Sequence, residues 1–192
     1  MCIRDSALAL SETTGPALEP VAAGGDGIVL AVWREAGAIK ARRISLTESL
    51  LEADALTVRA GSGLAHPAVV WNGTHFLVAW EEYVSGNYDI YARRYALDGT
   101  SPDATPIRVS TSPERSAWPT LATDGTSFYA AWTEGSDKRI DVTRITGGEI
   151  AFAAIPLVTA GVNALVRFPS IAFGAGSVLV VWESRASTGQ SS

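Results

Sequence analysis

Sulfur is nearly absent from this chain: the one cysteine, Cys2, and the one methionine, Met1, both fall within the first six of its 192 residues. The rest of the chain can form no disulfide and do no thiol chemistry. Lysine is almost as scarce, with Lys40 and Lys138 alone. Arginine carries the remaining positive charge, scattered among acids to a net charge of −5. No basic patch or stripe results, which argues against a nucleic-acid partner. No run approaches the roughly 18 apolar residues of a membrane span, so membrane insertion is not expected. The only histidines, His66 and His75, have no third partner at metal-like spacing, and no metal or cofactor is expected. A Gly-x-Ser-x-Gly elbow and a glycine-rich phosphate loop before a helix are also missing. No segment reads convincingly as a helix.

What the chain does have is a period. A proline followed thirteen residues later by a tryptophan occurs four times, as Pro20/Trp33, Pro67/Trp80, Pro119/Trp132 and Pro169/Trp182. Successive prolines lie 47, 52 and 50 residues apart. A period in this range means one supersecondary unit repeated.

Each unit opens at its proline, for example Pro67-Ala68-Val69-Val70, and the missing N–H suits the first position of a strand. Turn chemistry follows: Asn72-Gly73 and Asp124-Gly125 predict two-residue hairpin turns, with Gly25-Asp26-Gly27 and Gly174-Ala175-Gly176 in the other units. Asn72-Gly73-Thr74 also matches a glycosylation sequon, which the turn reading explains fully. Next come Val29-Leu30-Ala31-Val32-Trp33, Phe76-Leu77-Val78-Ala79-Trp80, Phe128-Tyr129-Ala130-Ala131-Trp132 and Val178-Leu179-Val180-Val181-Trp182. These runs are continuously apolar rather than alternating, so the strand must be covered on both faces. A third, more polar strand carries Ile90-Tyr91-Ala92-Arg93-Arg94-Tyr95 and its counterparts. A short fourth strand includes Ile107-Arg108-Val109, with Pro106 and Pro156 suited to an outer edge.

Four antiparallel strands in about fifty residues, repeated and covered on both faces, describe an all-β fold: a β-propeller fragment of four-stranded blades. The expected boundaries are blades at 20–66, 67–118 and 119–168, and the first half of a further blade at 169–192. Residues 7–19 are expected to hold the outer strand of a preceding blade and its link. Residues 1–6 resemble a translated sequencing-library adapter and are set apart from the fold.

The second unit carries Asn72-Gly73-Thr74-His75-Phe76-Leu77-Val78-Ala79-Trp80-Glu81-Glu82, then Asp89-Ile90-Tyr91-Ala92-Arg93-Arg94 and Asp98-Gly99. In these residues the chain resembles a family of bacterial propeller repeats found in large extracellular or surface proteins. The resemblance implies an exported propeller and brings no general catalytic motif. Tryptophan-aspartate pairs and Ser-x-Asp-x-Gly-x-x-Trp boxes are not present.

Repeated charges receive a structural reading. Glu35, Glu82 and Glu134 follow their tryptophans by two residues, and Arg43, Arg94 and Arg144 recur on the next strand. Cross-strand ion pairs are expected between these two sets. Glu81 and Glu82, as strand neighbours, point to opposite faces and do not form a hydrolytic acid pair. The residues that vary from unit to unit are more telling: Glu19, His66, Trp118 and Phe168 each precede a repeat proline. Links and loops on the channel face of a propeller would gather His66, Tyr83, Asn87, Tyr88, Arg115, Trp118, Lys138, Arg139, Arg167 and Phe168 as a ligand site. The competing reading packs Trp118 and Phe168 between blades. The function expected is a non-catalytic binding or structural module of a secreted or surface protein. Its partners would be a glycan, peptide or protein ligand and the remaining blades of the same chain. The alternative is part of a propeller-fold hydrolase acting on polysaccharide.

Overall fold

The computed structural model describes residues 8–186 apart from 12, 14 and 48. The adapter-like residues 1–6 lie outside the described residues. Fifteen strands form four antiparallel sheets, and the described residues contain no helix. The first sheet is β1 (Leu18–Gly25), β2 (Ile28–Glu35), β3 (Ala38–Ser45) and β4 (Leu56–Ala60), paired in chain order. The second repeats this order with β5 (Leu64–Trp71), β6 (Phe76–Val84), β7 (Asn87–Tyr95) and the short β8 (Ile107–Arg108). The third has β9 (Ser116–Thr123), β10 (Phe128–Glu134) and β11 (Arg139–Thr146). Two short strands, β12 (Glu149–Ile150) and β13 (Ile155–Thr159), both pair with β11. The fourth is the two-stranded sheet of β14 (Ala164–Gly174) and β15 (Ser177–Ala186). Strands β1, β5, β9 and β14 pack side by side, so they are the inner strands of successive propeller blades.

The continuously apolar second strands behave as their sequences require. Phe76, Val78 and Trp80 pack into a core shared with Leu30, Val32 and Ile39 of the first blade. Leu77 and Ala79, on the opposite face of the same strand, join Phe128, Ala130 and Trp132 of the third. One strand thus belongs to two cores, and period-2 alternation decides which residue serves which. A third cluster joins Ala131 and Val142 to Ile171, with Val178 and Val180 packed against it.

The recurring glutamates differ from expectation. They do not pair with the arginines of the next strand. Instead each accepts the indole N–H of its own tryptophan: Trp33 Nε1 donates to Glu35 at 2.8 Å, Trp80 to Glu82 at 3.0 Å and Trp132 to Glu134 at 2.7 Å. Residues two apart on a strand share a face, and a buried indole N–H must find an acceptor. Arg43 and Arg94 reach outward to Glu52 and Asp103, and Arg144 lies over the Phe152 ring. In the fourth unit Ser184 stands where the others carry glutamate. Trp182 there is 38% exposed, against 0% for Trp80.

Two turn assignments also change. Of the four turns between first and second strands, the two-residue ones with positive φ at both positions are Asp26-Gly27 (45° and 82°) and Ala175-Gly176 (49° and 76°). Around Asn72-Gly73 and Asp124-Gly125 the strands close four residues apart, since Trp71 pairs with Phe76 and Thr123 with Phe128. The side chains explain this. Asn72 Oδ1 accepts the N–H groups of Thr74 and His75, and Asp124 Oδ1 those of Thr126 and Ser127. Asn72 Nδ2 donates across the blade boundary to Thr126 O at 2.9 Å, so the sequon asparagine is a structural strut. Residues 8–11, expected as an outer strand, are irregular backbone. An outer strand needs a third strand of its own sheet as ladder partner, and here the Leu10 carbonyl accepts from Arg42 instead.

The three tryptophan-glutamate pairs are electrostatically unequal. Hydroxyl hydrogen bonds from Ser11 and Thr13, with the Trp33 indole, hold Glu35 down at about 2. Burial pushes Glu134 up despite its bonds from Trp132 and Ser116, and its Oε1 has no partner among the described residues. A depressed acid adds stability above its unfolded value and loses it as pH falls; a raised acid does the reverse. Glu35→Gln should therefore be less stable than the parent at pH 7, the gap closing as pH falls from about 4.5 towards 2. Glu134→Gln should be at least as stable as the parent at pH 8; urea midpoints across this pH range check both. Trp80→Ala should cost about 3–5 kcal/mol, while Trp182→Ala should cost about 1 kcal/mol or less, read from the same urea curves.

Candidate functional site

The four inner strands share a defect at the same place. Strand β5 begins at Leu64, three residues before Pro67, and β9 and β14 likewise begin before their prolines. The expectation of proline at the first strand position is corrected accordingly. Proline is tolerated inside the strand because the ladder is already broken there. The pairing register slips at Leu18/Val21, Ala65/Ala68 and Arg167/Ser170 of the inner strands, and in the third blade between Ala117 and Thr120, opposite Ala131/Thr133 of β10. The residue before each proline takes a positive φ: Glu19 at 55°, His66 at 48°, Trp118 at 58° and Phe168 at 52°. Large side chains rarely adopt this region, and a following proline disfavours helical dihedrals further. A β-bulge with a left-handed residue re-aims one side chain per blade. Repeated strain of this kind points to function as well as to architecture.

The re-aimed side chains meet. Glu19, His66, Trp118 and Phe168 line an open cleft of about 570 Å³ where the inner strands converge, with the four repeat prolines behind them. This volume suits a small ligand. The aromatic members form a continuous shelf. The His66 and Trp118 rings are 3.6 Å apart, and Trp118 meets Phe168 edge-on at 4.7 Å. Arg167 lies 4.7 Å over the Phe168 ring, a cation–π distance.

Carboxylates fix the shelf from below. Glu81, 1% exposed, uses one oxygen for two contacts: Oε1 accepts the Trp118 N–H at 2.7 Å and lies 2.6 Å from His66 Nδ1. Its Oε2 is 3.5 Å from Arg115. Glu19 Oε2 accepts the His66 N–H at 2.8 Å and pairs with Arg34 at 3.3 Å. Each of these carboxylates therefore holds the strained main chain of the next blade. Glu81 and Glu82 do point to opposite faces: Glu82 binds Trp80 and Arg59, while Glu81 serves the cleft.

Of the residues expected to form the site, His66, Trp118 and Phe168 line this cleft. Arg115 and Arg167 flank it through Glu81 and the Phe168 ring. The others lie elsewhere. Tyr83 and Tyr88 pair with each other at 5.0 Å, with Arg115 over Tyr88. Asn87 lines a separate cleft of about 330 Å³ with Asp89 and Arg108. Lys138 donates to the Ala164 carbonyl, and Arg139 is held by Asp141 and Glu114. Glu19 and Glu81 were not among the expected site residues. The position of Glu19 before a repeat proline is the signal that identifies it; Glu81 needed the fold. Among the described residues no group of three His, Cys, Asp or Glu is arranged to hold a metal ion.

No family model matches the chain, and no curated protein sequence matches it. Solved structures do share its fold. The Bacteroides ovatus xyloglucan PUL GH43B superposes with a TM-score of 0.58 at 11% identity, covering 91% of this chain and 40% of that one. A glycosyl hydrolase from Bacteroides ovatus gives 0.57 at 7% identity, covering 92% and 62%. A xylan β-1,4-xylosidase from Bacillus halodurans gives 0.51 at 11% identity, covering 92% and 39%. The chain spans less than two thirds of each of these structures. They correct the expectation of a non-catalytic module. The fold found here is that of structures named as glycosidases, so the hydrolase alternative is the reading carried forward.

The dependence of the shelf on Glu81 can be measured. Glu81→Ala strands a buried main-chain N–H and frees His66, and should cost about 3 kcal/mol or more. Glu114→Ala, at an exposed carboxylate, should stay within about 0.5 kcal/mol. Equal urea midpoints for the two variants would refute a structural role for Glu81.

Proposed function

We propose that the chain is part of a propeller-fold glycoside hydrolase and that its central cleft receives carbohydrate. The observation that carries this reading is the composition of the cleft: an aromatic shelf of Trp118 and Phe168 beside a partly exposed carboxylate, Glu19. Apolar and aromatic walls with a few placed polar groups suit a small ligand. Sugars match such walls in chemistry, offering C–H faces to the rings and hydroxyls to the carboxylate. The names of the structures that share the fold support the same class of ligand.

Glycoside hydrolysis uses two carboxyl groups on either side of the scissile bond, about 5–10 Å apart. Glu19 is the accessible candidate for one of them. Glu81 is occupied by His66, the Trp118 N–H and Arg115, so its role here is to hold the wall in shape. In this reading the second acid comes from blades beyond the present chain, and those blades are its first partners. The resemblance of the repeats to those of exported bacterial proteins fits an enzyme that meets polysaccharide outside the cell.

The test is a panel of neutral xylo-, arabino-, gluco- and fructo-oligosaccharides titrated into the 192-residue chain by calorimetry. At least one should bind, and Trp118→Ala should weaken it tenfold or more. In a protein that carries the completed ring, Glu19→Gln should lower kcat by about 10²–10⁴. Absence of binding across the panel, or unchanged affinity in Trp118→Ala, would sink the proposal.

A further inference from the structure

We infer that His66 Nε2 and Glu19 Oε1 form a two-acceptor socket for a pair of adjacent hydroxyls on the saccharide, with Glu81 as the positioning residue that sets the socket. This rests on the carbohydrate reading above and specifies which part of the sugar is read.

The inference starts from a proton count. Glu81 Oε1 accepts the Trp118 main-chain N–H at 2.7 Å, so it is an acceptor in this network. The same oxygen lies 2.6 Å from His66 Nδ1, which must then carry the proton. In the neutral imidazole Nε2 is left as an acceptor, and no described group donates to it. It faces Glu19 Oε1 at 3.8 Å. That is too long for a hydrogen bond, so with the imidazole neutral both atoms turn lone pairs to the space between them. Glu19 itself is held by the His66 N–H on Oε2 and by Arg34, which donates through Nε to Oε2 at 3.3 Å and through Nη2 to Oε1 at a long 3.5 Å. It therefore cannot readily turn away, and Oε1 keeps a lone pair for a further donor. Two fixed acceptors facing each other call for donors between them. Adjacent sugar hydroxyls supply two O–H groups at a spacing that reaches both. The Trp118 ring, 3.6 Å from the imidazole, offers a surface for the sugar's C–H face beside them.

Substitution at this position is structurally plausible. Phe168 occupies the equivalent position of the fourth blade with nearly the same φ, 52° against 48° for His66. His66→Phe therefore keeps the backbone and the ring stack while removing the acceptor.

The experiment uses the 192-residue chain labelled with ¹⁵N at histidine. In the free chain His66 should show a protonated Nδ1 and an unprotonated Nε2. Glu81→Gln, which keeps an acceptor, should preserve this pattern, and Glu81→Leu should lose it. Binding is then measured with the panel saccharide that binds most tightly and with its mono-deoxy analogues. Two adjacent hydroxyls should each be worth about tenfold, and His66→Phe and Glu19→Gln should each weaken the parent sugar about tenfold. Each variant should then discriminate little against the matching deoxy analogue. His66→Gln, whose amide oxygen can accept, should recover part of the affinity and serves if His66→Phe fails to fold. Wild-type affinity in His66→Phe, a protonated Nε2 in the free chain, or displacement of the sugar by ethylammonium would each overturn the inference. Saccharide binding that ignores His66 and Glu19 defeats the socket alone. No saccharide binding at all defeats the proposed function and the socket with it.

Discussion

The structure depends on a strand that cannot be left with an open face. In each complete blade the second strand is apolar on both sides, so both must be covered, and the strands of the second and third blades are covered by a neighbouring blade on either flank. That requirement forces the sheets to stack, and stacking places the inner strands side by side. It also buries an indole N–H in each complete blade, and the glutamate two residues on answers it. The tryptophan and its glutamate are therefore one device: apolar area for the core, and an acceptor to keep that area free of an unmet donor. In the two-stranded fourth sheet Ser184 stands at the glutamate position, and Leu179, Val181 and Trp182 of β15 are all exposed.

The cleft follows from a second constraint inside the first. Stacked inner strands converge on an axis, and regular strands would turn alternate residues towards it. The bulge before each proline interrupts this and turns one side chain per blade into the same space. Because the backbone device is repeated and the side chain is not, the cleft has fixed geometry and variable chemistry. Glu19, His66, Trp118 and Phe168 give one acid, one imidazole and two aromatic faces around it. Carboxylates from Glu19 and Glu81 hold the strained N–H groups of the next blade, so the groups that shape the cleft also tie the blades together.

Much of this was legible from particular residues. The Pro-x₁₂-Trp period and the continuous apolar runs carry the blade and its stacking, since both report local periodicity and burial. The unit-to-unit change before each proline marked His66, Trp118 and Phe168. Other features were not legible because they depend on register. Asn72-Gly73 reads as a two-residue turn, yet the Asn72 side chain captures the N–H groups of Thr74 and His75 and opens the loop to four residues. The recurring glutamates and arginines read as cross-strand pairs. The glutamates face tryptophans two residues back, and Arg43 and Arg94 find acids further along the chain.

By itself, the sequence determined the repeat, the strand order within a unit and the double burial of the second strand, because these follow from neighbours close along the chain. Only the tertiary structure decided which groups meet at the axis. Glu81 reaches His66, fifteen residues away, and the Trp118 N–H of the next blade, through the same oxygen. No spacing in the chain encodes that convergence; it arises when successive bulged strands are packed against one another.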